Sequence, residues 1–444
     1  MTHYDKMTKT PLTKLIVSLG IPTTISMLVT NIYNMADTYF VGTLGESAQA
    51  SIGILFTLQA IIQAVAFMFG QGAGAMISKG LADKNVDEAS MYASSGFFTS
   101  VSIGFVFMIL GISFLNPFLY ILGSTDTILP YARQYGLCVL ISCPAVMGSF
   151  ALNNGLRFEG KSFYAMIGLV SGGLINIFGD YLLVMVLKLG VLGAGIATAV
   201  SQFISFTILL HFFSKKAQSN LNIKYMSKKI SVYLTICKVG LPSLIRQGLS
   251  SVSSGLLNNL TRPYGDAAIA AMSVVNRFSA FVMCVGLGIG QGYQPVAAFN
   301  YQAKEYKRVK KGLLITMAIG FCCISCISVP GIIFAKEIVY LFQKSSRVIE
   351  IGVPALRYAC FGVTFLSLSV PVNMLYQSIR RSGVSSFLSL MRSGIMFIPT
   401  LLITTNYLGI TGIQMSQPLA DILTGFMSIP FIIMFLKKKN YDMK

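Results

Sequence analysis

The sequence predicts an all-α membrane protein of twelve transmembrane helices, set in two parallel, pseudo-symmetric six-helix lobes around a central cavity. Three observations lead there. The composition is too apolar for a water-wetted surface, the basic residues collect on alternate loops, and the second half repeats the first.

Of 444 residues, 54% are hydrophobic and only 11% are charged. A soluble chain of this size carries about twice that charged share, because its surface must be wetted. Apolar stretches recur at approximately 14–40, 48–76, 90–115, 129–153, 163–187, 190–212, 236–261, 268–298, 311–334, 350–377, 384–404 and 410–436. A helix rising 1.5 Å per residue needs about 20 such residues to cross hydrocarbon. Barrel-type alternation is not seen. Met1 to Lys14 is polar and basic, and the apolar stretch after it is long enough to remain as a span, so no cleavable signal peptide is expected.

A net charge of +19 would suggest nucleic acid in a soluble protein; in a membrane protein its placement matters more. One side collects Lys6, Lys9, Lys14, Lys79, Lys84, Arg157, Lys161, Lys215, Lys216, Lys224, Lys228 and Lys229. It also collects Lys304, Lys307, Arg308, Lys310, Lys311, Arg380, Arg381 and the tail Lys437, Lys438, Lys439 and Lys444. The other side holds only Lys188, Arg262, Lys336, Lys344 and Arg347. The positive-inside bias places the first group, with both termini, in the cytoplasm of a cell whose plasma (inner) membrane the chain spans. It also requires an even number of spans. Basic runs such as Lys304–Lys311 are topological anchors beside the lipid bilayer, and nucleic acid is excluded as a partner.

The repeat is carried by glycine and proline. Gly20-Ile21-Pro22 recurs as Gly240-Leu241-Pro242, Gly45 as Gly265, and Gly70-Gln71-Gly72 as Gly290-Gln291-Gly292, each 220 residues apart. Leu189-Gly190 recurs as Leu408-Gly409 at 219. Six spans per half make the halves parallel repeats. The boundaries follow: residues 1–213 form an N-terminal lobe, 214–233 a Lys-rich cytoplasmic linker and 234–444 a C-terminal lobe. Gly70-x-x-x-Gly74 and Gly288-x-x-x-Gly292 read as close helix packing. Gly70-x-Gly72-x-x-Ala75 is no dinucleotide loop, since no strand precedes it.

Enzyme chemistry finds little support. The two histidines, His3 and His211, lie in the polar tail and at a helix end, and His-Glu-x-x-His and Gly-x-Ser-x-Gly are absent. Cys323-Ile-Ser-Cys326 has CxxC spacing but no partner ligands nearby, and reads as small apolar helix residues. No cofactor and no transition metal are expected.

The acids carry the functional signal. Asp37, Asp180 and Asp421 fall well inside predicted spans. A carboxylate at that depth costs several kcal/mol unless paired, hydrated or protonated. Tyr33 and Asn34 precede Asp37 by four and three residues, and Asn176 precedes Asp180 by four, so each set shares a helical face. Such oxygens can hold a hard cation, a buried carboxyl can exchange a proton, or each aspartate can pair locally in packing. In the repeat, Asp37 stands opposite Leu257 and Asp180 opposite Pro399, so the site is asymmetric. Asp421 reads as a buried salt bridge to one of the arginines of the second half, Arg246, Arg277 or the shallower Arg392, with direct contact to the coupling ion or the substrate as the alternative. Pro22 is the candidate hinge, since a bend there would shift Asp37. Abundant Met, Phe and Tyr suit small cationic or amphipathic organic substrates.

The local patterns, taken in order, resemble a known family. They are Gly20-Ile21-Pro22, Asp37-Thr38-Tyr39-Phe40-Val41-Gly42-x-Leu44-Gly45, Asn176-Ile177-x-x-Asp180, Gly193-Ala194-Gly195-Ile196-Ala197-Thr198 and Gln417-Pro418-x-x-Asp421. Over nearly its full length the chain resembles the multidrug and toxic compound extrusion (MATE) transporters. The resemblance implies an antiporter that exports cationic or amphipathic compounds by rocking between two states, driven by protons or sodium. It also implies an ion site of Tyr33, Asp37, Asn176, Asp180 and Thr198, with Tyr135 as a neighbour. Any sodium would bind at Asp37, Asn176, Asp180 and Thr198. Asn34, Asn153, Arg246 and Arg277 are the candidate substrate-cavity residues, and a monomer is expected. A second branch of the family has acids in the seventh and tenth helices; in this chain no acid lies between Asp266 and Glu305 or between Glu350 and Asp421, and the seventh helix offers Ser253, Ser254 and Asn258 instead. The competing expectation is a lipid-linked oligosaccharide flippase of the same superfamily, to which Arg246, Arg277 and Arg392 lend weight.

Overall fold

A computed structural model describes residues 2–437; Lys438, Lys439 and Lys444 lie outside the described residues. The described residues are almost entirely helical. A short helix α1 (His3–Lys9) precedes α2 (Leu12–Gly42), α3 (Glu46–Ala82), α4 (Val86–Ser113), α5 (Leu115–Ile121) and α6 (Leu129–Phe158). Next come α7 (Ser162–Asp180), which runs into a π-helical turn Tyr181–Val186, α8 (Gly190–Lys216) and α9 (Ile230–Thr261). The remainder is α10 (Asp266–Gln302), α11 (Tyr306–Ile333), α12 (Ala335–Phe342), α13 (Ser346–Val363), α14 (Leu366–Ser378), α15 (Ser382–Leu390), a π-helical turn Met391–Met396, α16 (Phe397–Leu408) and α17 (Ile410–Lys437).

Each expected span is met by one of these helices or by a joined pair. Ten are long and apolar enough to cross a membrane, and α13 with α14, bent by 45°, makes an eleventh. The twelfth, α9, is 32 residues long; its serines, Lys238 and Arg246 make it more polar than the rest. Large apolar side chains such as Phe105, Ile109 and Leu110 on α4 and Leu174 and Phe178 on α7 are exposed, a surface that lipid tolerates and water does not. The short helices α5 and α12 and the helix α1 were not foreseen.

The repeat extends to the backbone. Helices α3 and α4 begin and end 220 residues before α10 and α11. Four pairs of residues with positive φ also match at that register or one less: Gly45 with Gly265, Lys84 with Lys304, Gly160 with Arg380 and Gly190 with Gly409. Three of these eight residues, Lys84, Lys304 and Arg380, are not glycine, and for them a positive φ is costly. The reason is a repeated helix stop. Asn85 N–H donates to Gly80 O and Glu305 N–H to Asn300 O, each at 2.8 Å, while Lys161 N–H donates to Leu156 O and Arg381 N–H to Tyr376 O, each at 2.9 Å. This is the six-to-one bond of a Schellman cap, which needs a left-handed residue just before the donor.

The chain forms two compact units that cut across the sequence halves. One is Ile25–Gln247; the other is Met1–Thr24 with Gly248–Lys444. The divisions fall inside α2 and α9, two residues after Pro22 and five after Pro242. Each exchanged half-helix is accepted by glycines. In the first unit a Cβ on Gly240 of α9 would overlap the Met68 carbonyl of α3, and one on Gly72 would overlap that of Ile236. In the second unit Gly20 of α2 meets Gly292 of α10 in the same way.

The expected linker is shorter and more tightly held than 214–233 implies. Helix α8 continues to Lys216 and α9 starts at Ile230. Between them, the backbone amides of Gln218 and Ser219 donate to the fully buried Glu159 carboxylate. Those of Asn220, Asn222 and Ser227 donate to Ser90, Ser94 and Ser95 of α4 at 2.8, 3.1 and 3.0 Å. Arg157, expected in a cytoplasmic loop, is instead a buried residue in the last turn of α6, where Nη1 donates to Asn154 Oδ1 at 2.8 Å. The loop itself is only Glu159 to Lys161.

Gly240→Val inserts two methyl groups and a Cβ into the α3–α9 crossing, and overpacking of this kind costs about 1–3 kcal/mol or more. It should sharply reduce the yield of monodisperse protein in detergent, while Gly255→Ala, where a Cβ meets nothing within 4 Å, should not. Size-exclusion profiles of the two variants decide it.

Candidate functional site: a buried carboxylate pair

The site lies entirely in the first unit. Asp37 comes from the second half of α2, Asn176 and Asp180 from consecutive turns of α7, Tyr135 from α6 and Thr198 from α8. They are between 0% and 6% exposed. The apolar frame around them includes Val41, Leu55, Leu58, Val139, Val191 and Ala194, which pack with the Tyr135 ring in one core. That frame excludes water and fixes the phenol.

Hydrogen bonds run in one direction through the site. Tyr135 Oη donates to Asp37 Oδ2 at 2.5 Å. Having spent its only proton there, it can only accept from Thr198 Oγ1 at 3.3 Å. Thr198 in turn accepts from Asn176 Nδ2 at 3.2 Å. Gln59 Nε2 of α3 makes a longer contact to Tyr135 Oη at 3.5 Å. All the available donors are thus turned toward one carboxylate oxygen.

Four buried oxygens are left with no donor: Asp37 Oδ1, both oxygens of Asp180, and Asn176 Oδ1. Asp37 and Asp180 are within electrostatic reach of each other, and no lysine or arginine pairs with either among the described residues. Buried polar groups are nearly always satisfied. Two carboxylates with three unsatisfied oxygens, joined by an amide oxygen, form a pocket of acceptors that asks for a positive charge.

The other sequence candidates are distributed differently. Tyr33, one turn before Asp37, hydrogen-bonds Gln202 of α8 beside the cluster. Asn34 is half-buried, and its carbonyl accepts from Thr38 at 2.9 Å. Asn153 Nδ2 donates to Ala165 O at 3.1 Å and ties α6 to α7. The repeat copies this tie, with Asn373 Nδ2 donating to Ser385 O at 2.9 Å. Arg246 lies in the first unit and is half-buried, whereas Arg277 lies in the second and is exposed. Asp421 does form the expected salt bridge, and its partner is Arg392, at 2.9 Å. Sequence reasoning missed Gln59 and Gln202. Their signal was a lone amide in an otherwise apolar run.

With this geometry in view, comparison with known proteins is informative. A family profile described as MatE matches residues 22–182 and 242–402, the same offset as the internal repeat. The chain belongs to the MATE family. It is a multi-pass membrane transporter, not an enzyme. It is similar to the multidrug export protein MepA of Staphylococcus haemolyticus, 26% identical over 435 residues, covering 96% of this chain and 94% of the relative. It is also similar to MepA of Staphylococcus aureus, 24% identical over 436 residues, covering 98% and 96%. Its fold matches a multidrug resistance MATE family transporter in an outward-facing conformation, with a TM-score of 0.92, 22% identity and coverage of 99% and 100%. A MOP superfamily transporter from Pyrococcus furiosus, described as having a binding pocket of reverse polarity, matches equally well, with a TM-score of 0.92, 22% identity and 99% of each chain covered.

Tyr135→Phe removes the one donor that holds Asp37 Oδ2. A hydrogen bond to a charged group is worth about 1.5–3 kcal/mol, so the purified variant should unfold at a lower temperature than the parent. An unchanged thermal midpoint would show that Asp37 finds its donor elsewhere.

Proposed function: cation-coupled export of amphipathic compounds

We propose that this chain is an antiporter that exports small cationic or amphipathic organic compounds in exchange for a monovalent cation bound between Asp37 and Asp180. The observation that carries this reading is the set of four buried oxygens without donors. A proton could satisfy two of them at most, one as its covalent partner and one as an acceptor. A sodium ion accepts several oxygen ligands at once, and carboxylate and amide oxygens are the ligands a hard cation prefers. Sodium is therefore the favoured coupling ion, with a proton the alternative that the same test addresses. The curated relatives, named as multidrug export proteins, support the substrate class.

Coupling requires that the cation bind one conformation better than the other. Alternating access by rocking of the two lobes meets that need, and α2 is suited to transmit it. Asp37 sits in its second half, and the helix passes from one compact unit to the other just after Pro22, where the missing backbone donor eases bending. The partition of lysine and arginine supports a cytoplasmic position for both termini of a plasma-membrane protein. The flippase alternative relied on arginines for a cationic chamber; one of them, Arg392, is neutralised by Asp421.

In vesicles carrying the protein, a fluorescent cationic dye should move when a sodium gradient is imposed alone, and much less under a pH gradient alone. The opposite pattern would replace sodium with a proton and keep the site. Asp37→Asn and Asp180→Asn should each abolish dye efflux from cells while leaving the protein in the membrane at parental levels. Normal efflux by both variants would reject the site.

A further inference from the structure

The second unit holds an ion pair that is only half made. Arg392 Nε donates to Asp421 Oδ1 at 2.9 Å, and Gln417 Nε2 donates to the same oxygen at 2.9 Å. Arg392 Nη1 approaches the Met283 sulfur at 3.3 Å. An arginine and an aspartate meeting for stability alone favour two parallel bonds, fork to fork. Here Arg392 Nη2 donates to no protein group and Asp421 Oδ2 accepts from none among the described residues. The pair is also not sealed, since 16% of the arginine side chain and 5% of the aspartate side chain remain accessible.

Its backbone setting is unusual as well. Arg392 stands in the π-helical turn Met391–Met396. Ser253 of α9 supports that turn by donating to the Ser393 carbonyl at 2.5 Å. Wide turns of this kind concentrate at functional positions. The first half has its own, Tyr181–Val186, which begins directly after Asp180. Gln417 stands 219 residues after Thr198. The fifth span of each half thus carries a charged residue beside a π-helical turn, Asp180 in the first half and Arg392 in the second.

We propose that the open edge of the Arg392–Asp421 pair is a recognition site for amphipathic substrates that present a carboxylate oxygen beside an N–H or O–H donor. Arg392 Nη2 meets the oxygen through a charge-assisted bond, and Asp421 Oδ2 accepts from the donor. Gln417 holds the aspartate in place, and Met283 offers a polarizable wall to the apolar body of the ligand. The pair is neutral overall, so a zwitterion or neutral acid can approach without a net charge penalty. This reading rests on the export function proposed above.

Nε-dansyl-lysine and its methyl ester make a matched fluorescent probe pair, because both keep the ammonium N–H donors beside the carboxyl group and only the ester lacks the free carboxylate. Their KM values are compared in proteoliposomes of the full-length chain under an imposed cation gradient. The parent should favour the acid. Arg392→Met should lower the ester-to-acid KM ratio at least tenfold, and Arg392→Lys should recover part of it. The neutral double variant Arg392→Met with Asp421→Asn leaves no isolated buried charge, so it reads the same ratio even if the single variant fails to assemble. An unchanged ratio in the double variant, or an equal loss of both dyes in every variant, overturns the proposal and leaves export intact. A parent chain that moves neither dye overturns the export reading and this proposal with it.

Discussion

Two carboxylates sit in a water-poor interior with no basic side chain among the described residues paired to them, and the rest of the first unit is organised around that fact. Leaving such a group unpaired costs several kcal/mol, against a net folding stability of about 5–15 kcal/mol for a typical domain. The chain does not offset that cost with its own side chains, because the donors of Tyr135, Thr198 and Asn176 form one chain that ends on a single oxygen of Asp37. The cation proposed for this site would supply the missing charge. Its binding and release would then change the free energy of the protein by a sizeable fraction of its stability, which is the scale needed to bias one conformation over another.

The duplication supplies the scaffold and not the chemistry. Left-handed helix stops, helix lengths and the Asn153 and Asn373 ties recur at one register, even where lysine or arginine must adopt a backbone conformation that suits glycine. The charged groups do not recur. Asp37 and Asp180 match apolar residues in the repeat, and the second half instead pairs Arg392 with Asp421 across its last two spans. A shared frame with unlike charges would let one half respond to the proposed inorganic ion while the other addresses an organic molecule.

Much of this was legible in the sequence, for physical reasons. Spans show themselves because lipid admits few charges, and Asp37, Asn176 and Asp180 stand out against that background. Thr198 and Tyr135 carried no such signal and entered only through family resemblance, since a hydroxyl costs little to bury. Gln59 and Gln202 gave only a weak signal, because an uncharged amide within a span costs far less than a carboxylate. Arg157 misled because it precedes Glu159-Gly160-Lys161, a polar run that reads as loop, while its side chain turns inward onto Asn154. The division of α2 and α9 between units left no trace in hydropathy, because each helix continues unbroken through it.

That division has a consequence for cutting the chain. Each sequence half leaves its leading half-helix in the unit built mostly from the other half, so neither 1–213 nor 234–444 holds by itself all the helices that complete a compact unit.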